Sequence, residues 1–221
     1  MALEVYLVRH GKTVFNTTGR LQGWSDSPLT AEGKAVAENL GKALNGNIRF
    51  DAAFCSVSPR AYQTAQLILQ HQGQDDLPLQ VVEEVREYCF GGFEGERVKN
   101  LHSLIAQERG YPDAAAWLEA YRHADRHLLA ESVSRLDTLG LAENEAQFIG
   151  RLKKGMSIIA ERSPAEGRVL LVSHGMSITG ILKSIDPQST LYQSVPNASV
   201  SRLQYNNGAW RILSVGEQYG K

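Results

Sequence analysis

Two histidines hold matching places in two near-copies of one stretch, Val5-Tyr6-Leu7-Val8-Arg9-His10-Gly11 and Val169-Leu170-Leu171-Val172-Ser173-His174-Gly175. Imidazole is the side chain whose ordinary pKa lies nearest neutrality, so it serves as nucleophile, base or acid. Arg9, next to the first histidine, offers a fork of N–H donors suited to the oxygens of an anion. Each histidine follows a short apolar run rich in β-branched residues, the pattern of a buried parallel strand. In open α/β sheets, ligand sites gather at the carboxyl ends of strands. The two runs therefore predict two imidazoles delivered to one crevice.

The elements that must carry them follow from the rest of the chain. Strands are predicted over about 4–8, 50–55, 79–82 and 168–172, with a final pair over 199–205 and 209–214 joined by the hairpin signal Asn206-Asn207-Gly208. Helices are expected after the N-cap Thr30, after Ser58 with Pro59 in the first turn, over about 144–161, and over about 176–185. The stretch 11–28 is polar and reads as a long loop, which in a small domain is usually functional. From about 96 to 145 the strand signals vanish, and Leu101, Leu104, Ile105, Trp117, Leu118 and Tyr121 recur at helical spacing. The pattern predicts one α/β domain, a three-layer α/β/α sandwich with a mostly parallel central sheet and an inserted helical cap over about 96–145.

Composition narrows the classes. The 221 residues suffice for one domain with a substantial core, and 23 Lys plus Arg against 24 Asp plus Glu argue against a nucleic-acid surface or a polybasic membrane patch. No apolar stretch approaches a membrane span, and the start of the chain carries no export signal. The cysteines, Cys55 and Cys89, are expected to be reduced in a cytoplasmic protein. The Gly-Gly-Phe-Glu-Gly run at 91–95 lacks the spacing of a dinucleotide fingerprint. His123 and His127 stand four apart, a spacing that zinc can use, but their charged surroundings point to a solvated helix face and no metal or other cofactor is expected.

Four segments together resemble the histidine phosphatase superfamily, which includes the cofactor-dependent phosphoglycerate mutases and many phosphatases. They are Leu7-Val8-Arg9-His10-Gly11-Lys12-Thr13 with Asn16 and Leu21-Gln22-Gly23-Trp24; Ser56-Val57-Ser58-Pro59-Arg60-Ala61; Arg86-Glu87 with Gly91 and Glu94-Gly95; and Ser173-His174-Gly175. The resemblance implies that His10 attacks phosphorus and becomes a phosphohistidine, with Arg9, Arg60 and His174 around the phosphoryl group. A neutral imidazole suits a dianionic ester, and neighbouring cations favour its neutral form. The resemblance assigns the proton donor to Glu87, since an alkoxide leaves poorly unless protonated and the later water needs a base. By composition alone Glu83 and Glu84 compete for that role, and a turn carboxylate is the plainer reading of Glu87. Glu94 is expected to fix the turn before the cap. Asn16, Gln22 and Gly23 are expected near the phosphate or substrate, and backbone N–H groups at Gly175 and Met176 are expected to bind the anion. Trp24 is expected to be a packing anchor, and Trp117 and Tyr121 cap core.

Mutases of this superfamily carry an Arg-His-Tyr-Gly run where this chain has Arg86-Glu87-Tyr88-Cys89, and no double-arginine stretch occurs anywhere. The expected activity is therefore metal-independent hydrolysis of a small phosphorylated metabolite, with inorganic phosphate as product. A phosphoglycerate-type mutase is the alternative, and a silent phosphate-binding module is a third reading. The sequence permits a homodimer without specifying one.

Overall fold

Pairing of the two histidine-bearing strands decides the architecture. In a computed structural model, which describes residues 2–219, β1 (Leu3–Arg9) runs parallel to a later strand, 167–173, with Arg9 opposite Ser173. The residue after each partner is a histidine, so the shared register alone sets His10 beside His174.

After β1 come α1 (Val14–Thr18), α2 (Ala31–Leu44), β2 (Ala52–Cys55), α3 (Pro59–Gln72) and β3 (Leu79–Val81). Three helices follow, α4 (Val98–Arg109), α5 (Ala114–Arg122) and α6 (Leu128–Leu136), and then α7 (Glu145–Arg162). The chain ends with β4 (Gly167–Ser173), α8 (Gly175–Ile185), β5 (Val200–Asn206) and β6 (Ala209–Glu217). Among the described residues the sheet has six strands in the order β3-β2-β4-β1-β5-β6. The first four are mutually parallel, β5 pairs antiparallel with β1 and β6 antiparallel with β5, as the expected mostly parallel sheet allows.

Apolar runs without alternation arise because both faces of the sheet are covered. On β1, Leu3, Val5 and Leu7 enter one core, while Tyr6 and Val8 enter the other with Leu40 and Ile68 from α2 and α3. β4 divides the same way, Val169 and Leu171 against Leu170 and Val172. The first core continues through Phe148 and Leu152 of α7 and Ile178 of α8 to Leu101, Trp117 and Val133 of the cap helices. The cap thus shares the sheet's own core.

Three local expectations change. The 11–28 loop contains α1, because Thr13 and Asn16 cap each other's backbone N–H and Gly19 closes the turn at φ 64°. Ser58 precedes α3 with Pro59 in the first turn, but its hydroxyl makes no capping bond. The hairpin at Asn207 (φ 49°) and Gly208 (φ 82°) has the two left-handed residues of a type I′ turn, and β6 runs on to Glu217.

Candidate active site

His10 ends β1 and is 3 % exposed. Its Nδ1 lies 2.7 Å from the carbonyl oxygen of Gly11. A carbonyl only accepts, so Nδ1 carries the proton and Nε2 presents a lone pair. Gly11 is fixed in turn, its N–H donating to Thr64 Oγ1 on α3 at 3.0 Å. Asn197 completes the support: its Nδ2 donates to the carbonyl of His10 at 2.9 Å.

The His174 ring is fully buried with its centroid 5.2 Å from that of His10, the planes inclined at 61°. Its Nε2 sits 2.7 Å from Ser56 Oγ. Burial holds both imidazoles well below their ordinary pKa; Arg60 and Arg9 reinforce this, and the Gly11 carbonyl opposes it at His10. Two neutral rings therefore meet at the ends of two strands.

Both arginines lie against this pair and spend part of their forks on the fold. Arg9 Nη1 donates to the carbonyl of Val195 at 2.6 Å. Arg60, 1 % exposed, ion-pairs with Asp26 at 2.7 Å and donates to the carbonyls of Ser25 and Gly23. The Nε of each is buried without a partner, as are Gln22 Nε2 and His174 Nδ1. Buried donors rarely stay unpaired, and these four belong to residues expected around a phosphoryl group.

Glu87 is 6 % exposed and grips the start of α8. Its Oε1 accepts from the N–H groups of Tyr88 and Ser177 and from the Ser177 hydroxyl, while Oε2 accepts the Met176 N–H at 3.0 Å. This corrects one expectation: the Met176 N–H is taken by Glu87 and is not free for an anion. Met176 lines the cavity instead. Gly175 serves close packing, since a Cβ there would meet Ser194 Oγ. Arg151 holds the Glu87 backbone by donating to the carbonyls of Glu84, Arg86 and Glu87 while it forks onto Glu143. Glu84 pairs with Lys154 at the surface, away from the histidines.

A cavity of about 290 Å³ opens here, lined by Arg9, His10, Asn16, Gln22 and Glu87 among others. His174 and Arg60 are buried beside these residues and do not form its wall. Gly23 does not line it either. Its N–H donates to Glu94 and its carbonyl accepts from Arg60, so both backbone groups tie loops together. Glu94 accepts from the N–H groups of Gly23, Trp24, Ser25 and Phe90, fixing the turn as expected. Gly91, at φ 56° against Asp137, needs the absence of a side chain in that turn.

Some residues depart from expectation. Trp24 is 42 % exposed; its ring lies under the Arg86 guanidinium at 4.2 Å and its Nε1 donates to the Glu87 carbonyl. Trp117 is cap core, but Tyr121 is both buried and part of the cavity wall. His127 is not on a solvated face: it is 1 % exposed, its Nδ1 accepts the Ala130 N–H at the start of α6, and burial lowers its pKa to about 4. His123 is exposed and pairs with Glu119. Nothing in the spacing around Asn197 or His102 singles either out; Ser56 lies in the Ser56-Val57-Ser58-Pro59-Arg60-Ala61 motif with no role of its own expected.

With this geometry in view, comparison with known proteins is informative. Residues 5–218 match the model of the histidine phosphatase superfamily (branch 1). The chain is 26 % identical over 217 residues to the adenosylcobalamin/alpha-ribazole phosphatase of Escherichia coli (strain K12), covering 98 % of this chain and 92 % of that protein. It is 29 % identical over 194 residues to a 2,3-bisphosphoglycerate-dependent phosphoglycerate mutase of Hamiltonella defensa, covering 83 % and 77 %. The crystal structure of a phosphoglycerate mutase from Bacillus anthracis superposes with a TM-score of 0.92 at 35 % identity, over 98 % of this chain and 94 % of that one.

Proposed function

This chain belongs to branch 1 of the histidine phosphatase superfamily, and we propose that within it the protein is a metal-independent phosphomonoester hydrolase working through a phosphohistidine at His10. One observation carries the reading. Nε2 of His10 offers its lone pair beside the buried ring of His174, centroids 5.2 Å apart, at a cavity whose wall also holds Arg9, Gln22 and Glu87.

In the first step Nε2 of His10 forms a bond to phosphorus as the ester P–O bond breaks. The departing alkoxide takes a proton from the Glu87 carboxyl, whose Oε2 accepts only one N–H and has room for it. In the second step water attacks phosphorus, gives its proton to Glu87, and the N–P bond electrons return to His10. Arg9, Arg60 and His174 spread the charge on the equatorial oxygens, so the scheme asks for no metal. Cys55 and Cys89, both free thiols, suit a reducing cytoplasm.

A mutase is the second reading, favoured by relatives that bear that name. A mutase must shield a bisphosphate from water among extra cations, whereas here Glu87-Tyr88-Cys89 replaces the mutase run. Incubation with p-nitrophenyl phosphate and EDTA tests hydrolysis directly. Sustained turnover that disappears in His10→Ala supports it. Isomerisation of 3-phosphoglycerate on adding 2,3-bisphosphoglycerate, with little phosphate released, favours the mutase.

A further inference from the structure

Beyond its phosphate end, the cavity is built by the cap. Val98, Leu101 and His102 recur at i, i+3 and i+4 on α4, and Leu118 and Tyr121 at i, i+3 on α5, and all five line the wall. Leu129 and Phe90, both largely buried, extend the apolar surface. At the rim of this half Arg20 donates to the Gly95 carbonyl at 2.8 Å, and Arg122 pairs with Glu119 at 3.4 Å.

One polar group in this half is held in a defined state. The indole Nε1 of Trp117 donates to His102 Nδ1 at 3.0 Å. Indole N–H can only donate, so His102 Nδ1 is an acceptor and the neutral ring carries its proton on Nε2. Trp117 is fully buried and stacks on Tyr121 with centroids 5.4 Å apart and planes at 12°, which fixes the donor. Burial lowers the pKa of His102, so the ring stays neutral near pH 7. Its Nε2–H has no protein acceptor among the described residues. His127 also has an occupied Nδ1, but the Tyr121 hydroxyl lies within 3.3–3.5 Å of its nitrogens and answers it locally.

We propose that the substrate is the phosphomonoester of an uncharged, largely apolar alcohol that bears a neutral hydrogen-bond acceptor, and that His102 Nε2–H recognises this acceptor. The proposal rests on hydrolysis at His10 and adds what the leaving group must be. An apolar wall rewards burial of an aromatic or branched skeleton and penalises the desolvation of a second carboxylate. A site with a fixed donor discriminates against an isostere lacking the acceptor, because the donor is then left unpaired.

The test compares 3- and 4-acetylbenzyl phosphate with the matching isopropylbenzyl phosphates, similar in size and in leaving alcohol, and with 3-phosphoglycerate. The expected result is kcat/KM at least tenfold higher for the better benzyl ester than for 3-phosphoglycerate, and about five- to tenfold higher for acetyl than for isopropyl. His102→Phe should bring the acetyl/isopropyl ratio to about one. His102→Gln, which keeps an N–H near the Nε2 position, should preserve most of it, an outcome that separates recognition from support of the fold. A charged ester turned over fastest, or an acetyl preference that survives in His102→Phe, overturns the proposal and leaves hydrolysis standing. Failure of every ester in the set, p-nitrophenyl phosphate included, overturns hydrolysis itself.

Discussion

Ser56 Oγ lies 2.7 Å from Nε2 of His174, deep below the surface, while the opposite ring nitrogen has no partner. Ser56 Oγ also accepts the Ser58 N–H at 3.4 Å, and its hydroxyl hydrogen can be turned toward the imidazole. With Ser56 as the donor, neutral His174 is expected to carry its proton on Nδ1, where a phosphoryl oxygen can receive it. Ser56 is in this sense a positioning residue for His174. Replacing it with alanine should lower kcat about tenfold with little change in KM. Imidazole ¹⁵N shifts should move from the Nδ1–H to the Nε2–H tautomer, and Ser56→Thr should restore both. An unchanged tautomer in Ser56→Ala would contradict this assignment.

The two site imidazoles should not titrate where free histidine does. Burial, with Arg60 and Arg9 beside them, keeps His10 and His174 neutral, so NMR titration should show no midpoint for either between about pH 5.5 and 8. Stability follows with a definite sign. The unfolded chain takes up these protons near pH 6.5 and the folded chain does not, so stability is full above about 6.5 and falls as the pH drops toward the folded values. His127, held at about 4, behaves the same way and alone contributes on the order of 3 kcal/mol of loss by pH 4. Urea unfolding at pH 7, 6 and 5 reads the slope, and a flat profile would refute buried neutral histidines.

How much of this was legible in the letters depended on whether the cause was local. The near-copies ending in His10 and His174 foretold two strand ends at one crevice, and direct parallel pairing of the two strands is how the fold achieves it. Glu94 is set apart from Glu87 only through the resemblance, since both carboxylates accept several backbone N–H groups. The destination of the Met176 N–H was hidden, since whether a helix start faces solvent, ligand or a carboxylate 89 residues away is a tertiary matter. Asn197 was invisible for the same reason: its bond to the His10 carbonyl spans 187 residues and has no periodic signal. His127 was misplaced because charged neighbours suggested solvent, whereas the ring turns inward to cap α6.

Asp137 should matter to stability although it touches no substrate. Its carboxylate accepts from the N–H groups of Gly92, Leu139, Leu141 and Ala142, joining the turn after Glu87 to the segment before α7. Burial works against its charge, but these four donors outweigh it and lower its pKa. The stabilisation is present above the unfolded value near 3.9 and lost as the pH falls through the lower folded value. Asp137→Asn, which sets an amide N–H against backbone donors, should cost about 2–4 kcal/mol at pH 7 with an unchanged m-value. The gap from wild type should narrow below about pH 4. Equal stabilities at pH 7 would remove Asp137 from this role.

The most direct test is to catch the covalent intermediate. Rapid acid-free quenching during turnover of a ³²P-labelled monoester in EDTA should leave label on the protein that survives alkali, is released by acid, and maps by mass spectrometry to His10. His10→Ala should carry none, and Glu87→Gln should accumulate label from an activated aryl phosphate because its hydrolysis lacks a base. Turnover without any labelled His10, at a rate that His10→Ala shares, would contradict the central claim.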